Sequence, residues 1–177
     1  MKYESLFDRT LGDWKTKPVS FQLKEGSKPY HGQAFPEPKI HKEVLIREIE
    51  RLCKLGVLER QPESEWALPS FIVPKKNGTV RFLSDFREVN KRIVRTPFPI
   101  PKISTVLQEL EGFSYATALD LNMGYYTIRL DPDSSKICTI IFPWGKYSYK
   151  RLPMGSAGSP DIFQAKMMEL MKSLEYV

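Results

Sequence analysis

Thiol and imidazole chemistry have little to work with here, because the 177 residues contain two cysteines and two histidines. Cys53 and Cys138 sit inside apolar runs without metal-ligand spacing, so they read as buried thiols in a reducing compartment. His31 and His41 are too far apart to suggest a zinc site and read as surface or helix-start residues. No apolar run is long enough to span a bilayer, and Met1-Lys2-Tyr3-Glu4-Ser5 has no apolar signal core, so no membrane partner is expected. Acidic residues are outnumbered, 21 against 27 Lys and Arg, for a net charge of +6. The excess gathers at Lys75-Lys76, Arg81, Arg87, Lys91-Arg92 and Arg95, which permits a polyanionic partner.

What is present suits one domain, or one domain and part of another, with 41% hydrophobic and 27% charged residues. The 14 prolines fall between elements rather than in a repeat. Val19 to Leu23 reads as one strand, and residues 24–38, rich in proline and glycine, as an extended arm. His41 to Leu55 has Leu45, Ile49, Leu52 and Cys53 on one face, which predicts an amphipathic helix capped by Gly56. Ser70–Pro74 and Thr79–Phe86 read as strands joined through Asn77-Gly78, a hairpin signal. Its two lysines discourage edge pairing in one reading and form a cationic finger over phosphates in another. Arg87 to Arg95 reads as basic and irregular, and Pro97, Pro99 and Pro101 as a stiff connector. Ser104 is a plausible N-cap for a short helix, with Val106, Leu107 and Leu110 as its apolar face and Gly112 as its end. Lys136 to Phe142 and Tyr147 to Leu152 read as paired strands. The small-residue loop 152–160 then opens a helix, with Ser159 as cap and Pro160 at its first position. That loop can approach an anion closely but is no Walker or dinucleotide fingerprint.

The chemistry centres on the stretch from Ala118 to Asp131. Tyr115 to Leu119 reads as a short buried strand that runs into Asp120. Asn122-Met123-Gly124 breaks it, and Tyr125 to Leu130 returns with period-two alternation. A carboxylate at a strand end with an aromatic five residues later suits metal-dependent nucleotidyl transfer, since divalent metals want rigid hard-oxygen ligands. An Asp in that position is also often only a backbone cap.

Three ordered motifs settle between these readings: Ser84-Asp85-Phe86-Arg87-Glu88-Val89-Asn90-Lys91, Ala118-Leu119-Asp120-Leu121-Asn122-Met123-Gly124-Tyr125, and Leu152-Pro153-Met154-Gly155 through Ser159-Pro160-Asp161-Ile162-Phe163-Gln164. Together they resemble the reverse transcriptase of gypsy-type LTR retrotransposons and, more distantly, of retroviruses. The resemblance extends over nearly the whole chain, including Leu11-Gly12-Asp13-Trp14 and the Ile40-to-Leu58 region. It implies an α+β fold: right-hand polymerase fingers plus an incomplete palm, mostly antiparallel strands with packed helices. Residues 1–38 would be the arm, 39–102 the fingers, 103–142 the first part of the palm, and 143–177 a nucleotide-facing hairpin and palm helix.

The same resemblance implies an RNA-directed DNA polymerase using two Mg2+ or Mn2+ ions, with an RNA or DNA template, a primer and deoxynucleoside triphosphates as partners. Asp120 would be a metal-binding aspartate, with the Leu121 carbonyl beside the same ion. Lys75 or Lys76, and Arg81, match residues that bind the triphosphate. Leu83, Asp85 and Arg87 match template-holding positions, and Pro160 a template or primer contact. Tyr125 matches the aromatic that excludes a 2′-hydroxyl, with Met154 and Gly155 also facing the nucleotide. Met154 stands where retroviral enzymes carry glutamine, so a side-chain hydrogen bond to the sugar gives way to an apolar contact. The family's Tyr-x-Asp-Asp motif is expected within a few residues of Leu174-Glu175-Tyr176-Val177. The 177 residues alone, without those carboxylates and without thumb and RNase H segments, are expected not to polymerise. A non-catalytic nucleic-acid-binding remnant, or a partner of a complete polymerase subunit, is the alternative. An intracellular location, in a cytoplasmic particle or the nucleus, accompanies either.

Overall fold

The structure is a computed structural model that describes all residues except 1–6, 9, 37, 75–79, 110, 111, 113, 116 and 175–177. The first long element is helix α1 (Lys39–Lys54), which buries Leu45, Ile49 and Leu52 and leaves its charged residues outward. Each such aliphatic, fully withdrawn from water, contributes about 1.5–3 kcal/mol. The helix stops because Gly56 takes a left-handed φ of 67°. Gly56 N–H then donates to Cys53 O and Val57 N–H to Leu52 O, the paired bonds of a Schellman end.

The chain continues into β1 (Leu58–Arg60), β2 (Leu68–Pro74) and β3 (Val80–Ser84). Strands β4 (Thr139–Phe142) and β5 (Gly145–Tyr149) complete a five-stranded sheet in the order β1-β5-β4-β2-β3. Only the β2–β4 contact is parallel, with Leu68 opposite Ile140. The hairpin partners β2 and β3 pair Ser70 with Ser84 and Pro74 with Val80. The architecture is therefore α+β with a mostly antiparallel sheet. Its core joins α1 to Leu58, Leu68, Ile140, Phe142 and Tyr149 of the sheet and to Phe86, Val89, Ile93, Ile128 and Leu152. Among the described residues no helix is long and apolar enough to cross a membrane.

The N-terminal stretch crosses several of these elements in extended form. Trp14 N–H donates to Thr127 O, Val19 N–H to Arg129 O, and Gly32 N–H to Ala67 O. It forms isolated bridges at Val19 and Leu23 rather than the strand expected there. Val19 pairs with Leu130 and Leu23 with Ile93, two separate partners, so no ladder develops. Asp13 anchors it by accepting from Arg129 and Arg151.

Several expectations fail for identifiable reasons. Arg87–Arg92 is a helix, α2, because Glu88 pairs with Lys91 and Arg92 one turn on and Val89 is buried. Lys136–Ile137 ends a helix, α4 (Pro132–Ile137), instead of starting β4. Asp131 caps it, accepting from Ser134 N–H at 2.7 Å, and Pro132 supplies the first-turn proline. The partner of β4 ends at Tyr149 and not at Leu152. Helix α3 (Ile103–Glu109) begins before Ser104, so Ser104 is not its cap, and Val106 is exposed. Helix α5 (Ser159–Met171) has Gly158 at its cap position, while Ser159 Oγ donates to Pro153 O. Of the two thiols only Cys138 is buried; Cys53 is half-buried at the edge of α1.

Tyr115 to Leu119 forms no strand in its described residues, and Tyr115 and Leu119 are 95% and 69% exposed. No described strand lies beside it to complete a ladder, and an apolar run without a hydrogen-bonding neighbour has no reason to stay extended. Tyr125 likewise belongs to a single 3-10 turn (Gly124–Thr127), not a strand. Met123 enters that turn with φ 54°, and Thr127 Oγ1 closes it by donating to Gly124 O at 2.6 Å.

Candidate active site

The turn that replaces the expected strand still presents its chemistry in one place. Asp120 is exposed and has no hydrogen-bond or ion-pair partner among the described residues. It opens with Leu121, Gly124 and Tyr125 onto a cavity of about 400 Å3, closed on the other side by Phe163 and Met167 of α5. Gly124 eases this approach: a Cβ there would lie 3.1 Å from Phe163 Cζ, so the ring would have to shift to admit one. The Tyr125 ring rests edge-on against Phe163, centroids 5.0 Å apart, and Trp14 of the N-terminal stretch braces Phe163 from 6.3 Å.

Tyr125 and Gly124 also line a second cavity of about 610 Å3, shared with Leu83 of β3, Met154 and the Glu48 and Arg51 side chains of α1. Tyr125 is thus a wall between the Asp120 cavity and one walled by Leu83 and Met154. Arg51 is not free to act there, since its Nε and Nη2 both donate to Glu48 at 2.8 Å. A partly buried hydroxyl network joins β2, β3 and β5. Ser70 Oγ donates to Ser84 Oγ at 3.1 Å, which meets Tyr149 Oη at 3.0 Å. Burial pushes the Tyr149 phenol well above its ordinary range, and the Tyr126 phenol upward as well, so both stay protonated.

Met154 is held by the loop that follows it. Gly155 adopts φ 100°, and a Cβ on it would sit 3.3 Å from Phe86 Cδ2 and 3.5 Å from the Ser84 carbonyl. Asn90 Nδ2 donates to Gly155 O at 3.0 Å while Ala157 N–H donates to Asn90 Oδ1 at 2.8 Å. The loop runs into α5, whose Asp161 carboxylate is buried and accepts from Arg95 Nε at 2.7 Å and Phe98 N–H at 3.0 Å. The Arg95 hydrogen bond holds the Asp161 carboxyl below the usual carboxylate range.

Other candidates fall elsewhere. Asp85 and Arg87 pair with each other: Arg87 Nη2 reaches Asp85 Oδ2 at 2.6 Å, and this contact lowers the Asp85 carboxyl. The Arg87 side chain remains 83% exposed. Pro160 is exposed on the first turn of α5 and lines neither cavity. Lys75 and Lys76 lie outside the described residues, as does the side chain of Arg81. Sequence reasoning passed over Asn90, Asp161 and Phe163 although all three stand inside the quoted motifs. Only their long-range partners reveal what they do.

Asp120 suits a hard divalent cation as one ligand, being an exposed carboxylate with no cation beside it among the described residues. Asp131, eleven residues on, is committed to capping α4. No group of three or more His, Cys, Asp or Glu among the described residues is arranged to hold a metal.

Comparison with known proteins identifies the family. Residues 73–176 match the family described as reverse transcriptase (RNA-dependent DNA polymerase). A putative enzymatic polyprotein of Cassava vein mosaic virus is 32% identical over 171 residues, 93% of this chain and 25% of that protein. The Pol polyprotein of transposon gypsy from Drosophila melanogaster is 28% identical over 152 residues, 82% of this chain and 15% of that protein. A crystal structure of the prototype foamy virus protease-reverse transcriptase superposes with a TM-score of 0.86 at 30% identity, covering 98% of this chain and 24% of that one. The chain therefore spans a quarter or less of the length of these relatives. The matched segment carries Asp120, Tyr125 and Met154, the residues that converge on the two cavities, and the chain belongs to the reverse transcriptase (RNA-dependent DNA polymerase) family.

Proposed function

We propose that these residues are the nucleotide-selecting part of an RNA-directed DNA polymerase acting on an RNA or DNA template with a DNA primer. The observation that carries this reading is the position of Tyr125, which faces the Asp120 cavity and the Leu83–Met154 cavity at once. Asp120 supplies one carboxylate to divalent metal, with the Leu121 carbonyl beside it. Divalent ions such as Mg2+ or Mn2+, held in part by Asp120, would lower the barrier to attack by a primer 3′-hydroxyl and neutralise charge on the departing pyrophosphate.

The remaining work belongs to the protein's own groups. The Tyr125 ring, fixed by Phe163, occupies the space a ribose 2′-hydroxyl would need. Met154 and Gly155 form the opposite contact for the sugar. Lys75 or Lys76, and Arg81, neutralise the triphosphate; a guanidinium suits this because its fork pairs with two phosphate oxygens. Leu83 packs the templating base. Arg87, oriented by Asp85 and open to solvent, holds the template backbone with Pro160, contacts that position a strand without reading it.

One carboxylate is too few for two divalent ions, so the 177 residues by themselves are expected to give no primer extension. Asp120→Asn tests the site in the enzyme expressed from the reading frame that contains this chain. Loss of a metal-ligating charge is expected to lower Mg2+-dependent extension by about a thousand-fold, roughly 4 kcal/mol of transition-state stabilisation. Undiminished extension by the Asp120→Asn enzyme contradicts the assignment.

A further inference from the structure

The segment 84–90 touches the nucleotide-facing loop at two points, and both are made by residues that carry no assigned role. At the first, the Phe86 ring and the Ser84 carbonyl fill the space where Gly155 would have a side chain. At the second, the Asn90 amide spans the loop. Its Nδ2 donates to Gly155 O, and its Oδ1 accepts from Ala157 N–H. Only one orientation of the amide satisfies both, because the reverse sets oxygen against oxygen and N–H against N–H. Asn90 is itself fixed: its backbone N–H donates to Phe86 O at 2.8 Å, and its neighbour Val89 is wholly buried.

From this we infer that Asn90 is a positioning residue for nucleotide selection, an amide strut that sets the distance between Met154 and Tyr125 by holding Gly155 and Ala157. The inference rests on the reading of the two cavities as the nucleotide site. Met154 is half exposed and immediately precedes Gly155, so the loop backbone helps set its place across the cavity from Tyr125. Pro153 O, just before Met154, accepts from Ser159 Oγ, and α5 is held by Asp161 on Arg95 and Phe98. Loss of the strut therefore loosens the loop on the Gly155–Ala157 side of Met154 while Pro153 and α5 stay docked. Because Asn90 shares α2 with Arg87, the same strut ties the proposed template contact to the nucleotide pocket.

Asn90→Ala removes both hydrogen bonds, and Asn90→Asp keeps the acceptor for Ala157 N–H but loses the donor to Gly155. In the enzyme expressed from the reading frame that contains this chain, either variant raises the deoxynucleotide KM by about ten-fold, the worth of one or two neutral hydrogen bonds. Its kcat changes by less than about two-fold, as a residue acting on binding rather than on the chemical step requires. In the 177-residue chain, hydrogen exchange at Ala157 N–H accelerates about ten-fold in Asn90→Ala and less in Asn90→Asp. Unchanged KM, a loss confined to kcat, or failure of both variants to fold would overturn the inference, the last by making Asn90 a folding residue. Asp120→Asn run alongside separates the two claims. If that enzyme extends primers normally, the site reading itself falls. If it does not and the Asn90 variants keep a normal KM, only the strut is refuted.

Discussion

Asp161 is a buried charge that ties α5 to Arg95 and Phe98, and replacing it has a calculable consequence. Its side chain is 2% exposed and accepts from Arg95 Nε at 2.7 Å, Arg95 Nη2 at 3.3 Å and Phe98 N–H at 3.0 Å. Asp161→Asn keeps one oxygen for an acceptor and loses the charge, which removes a charge-assisted hydrogen bond of about 1.5–3 kcal/mol. Arg95, half exposed, regains water, so no buried cation is left behind. For a chain of this length that loss corresponds to about 3–12 °C in Tm. The pH dependence follows from the lowered folded-state carboxyl, whose first cause is the Arg95 contact. A carboxyl lowered by folding adds stability above its unfolded value, about 3.9, and that stability disappears as the pH falls through the lower folded value. The Tm gap between the parent chain and Asp161→Asn is therefore full at pH 7 and closes in acid. Asp13 and Asp85, lowered by their own arginine contacts, titrate in both proteins and cancel from the difference. Calorimetric scans of the two chains at pH 7 and near pH 3 measure it. Equal Tm at pH 7, or a gap that does not shrink in acid, refutes the reasoning.

Other expectations are more local. Gly124→Ala places a methyl 3.1 Å from Phe163 Cζ and should cost about 1–3 kcal/mol, with a change in near-ultraviolet dichroism as the Phe163–Tyr125 pair shifts. Cys138 is buried and its thiol is pushed far up by that burial, whereas Cys53 is half-buried, so a thiol reagent should modify Cys53 first and Cys138 only on unfolding. A thiol raised by folding gives stability that is complete below its unfolded value, about 8.5, and declines as the pH rises beyond it. Urea midpoints should therefore fall on the alkaline side, and a Cys138→Ala chain should lose less between pH 8 and 10 than its parent.

Much of this was readable from residue order. The spacing of Leu45, Ile49 and Leu52 with Gly56 behind them marks α1 and its end, and the two β-rich runs mark the β2–β3 pair, while the Asn77-Gly78 turn between them lies outside the described residues. The α+β class and the family follow from three ordered motifs. What was misread shares a cause, which is that local pattern does not name the partner. Tyr115 to Leu119 has the composition of a buried strand but no described neighbour to pair with. Tyr125 to Leu130 alternates like a strand, yet the left-handed Met123 and the Thr127 hydroxyl wind its first half into a turn, and only Arg129 and Leu130 form bridges. Asp131-Pro132 reads as the start of a turn, but the apolar run behind it hides that this turn opens helix α4. Asn90, Asp161 and Phe163 could not be read at all, since each acts on residues more than thirty positions away.

The central claim is that Tyr125, wedged between the two cavities, decides which sugar enters. Tyr125→Val in the enzyme expressed from the reading frame that contains this chain tests it most directly, because a gain of activity cannot come from unfolding. Removing the ring should raise ribonucleotide incorporation relative to deoxynucleotide by about ten- to two-hundred-fold, the range that a few buried carbon atoms can discriminate. A Tyr125→Val enzyme that extends primers and still rejects ribonucleotides as its parent does would contradict the account.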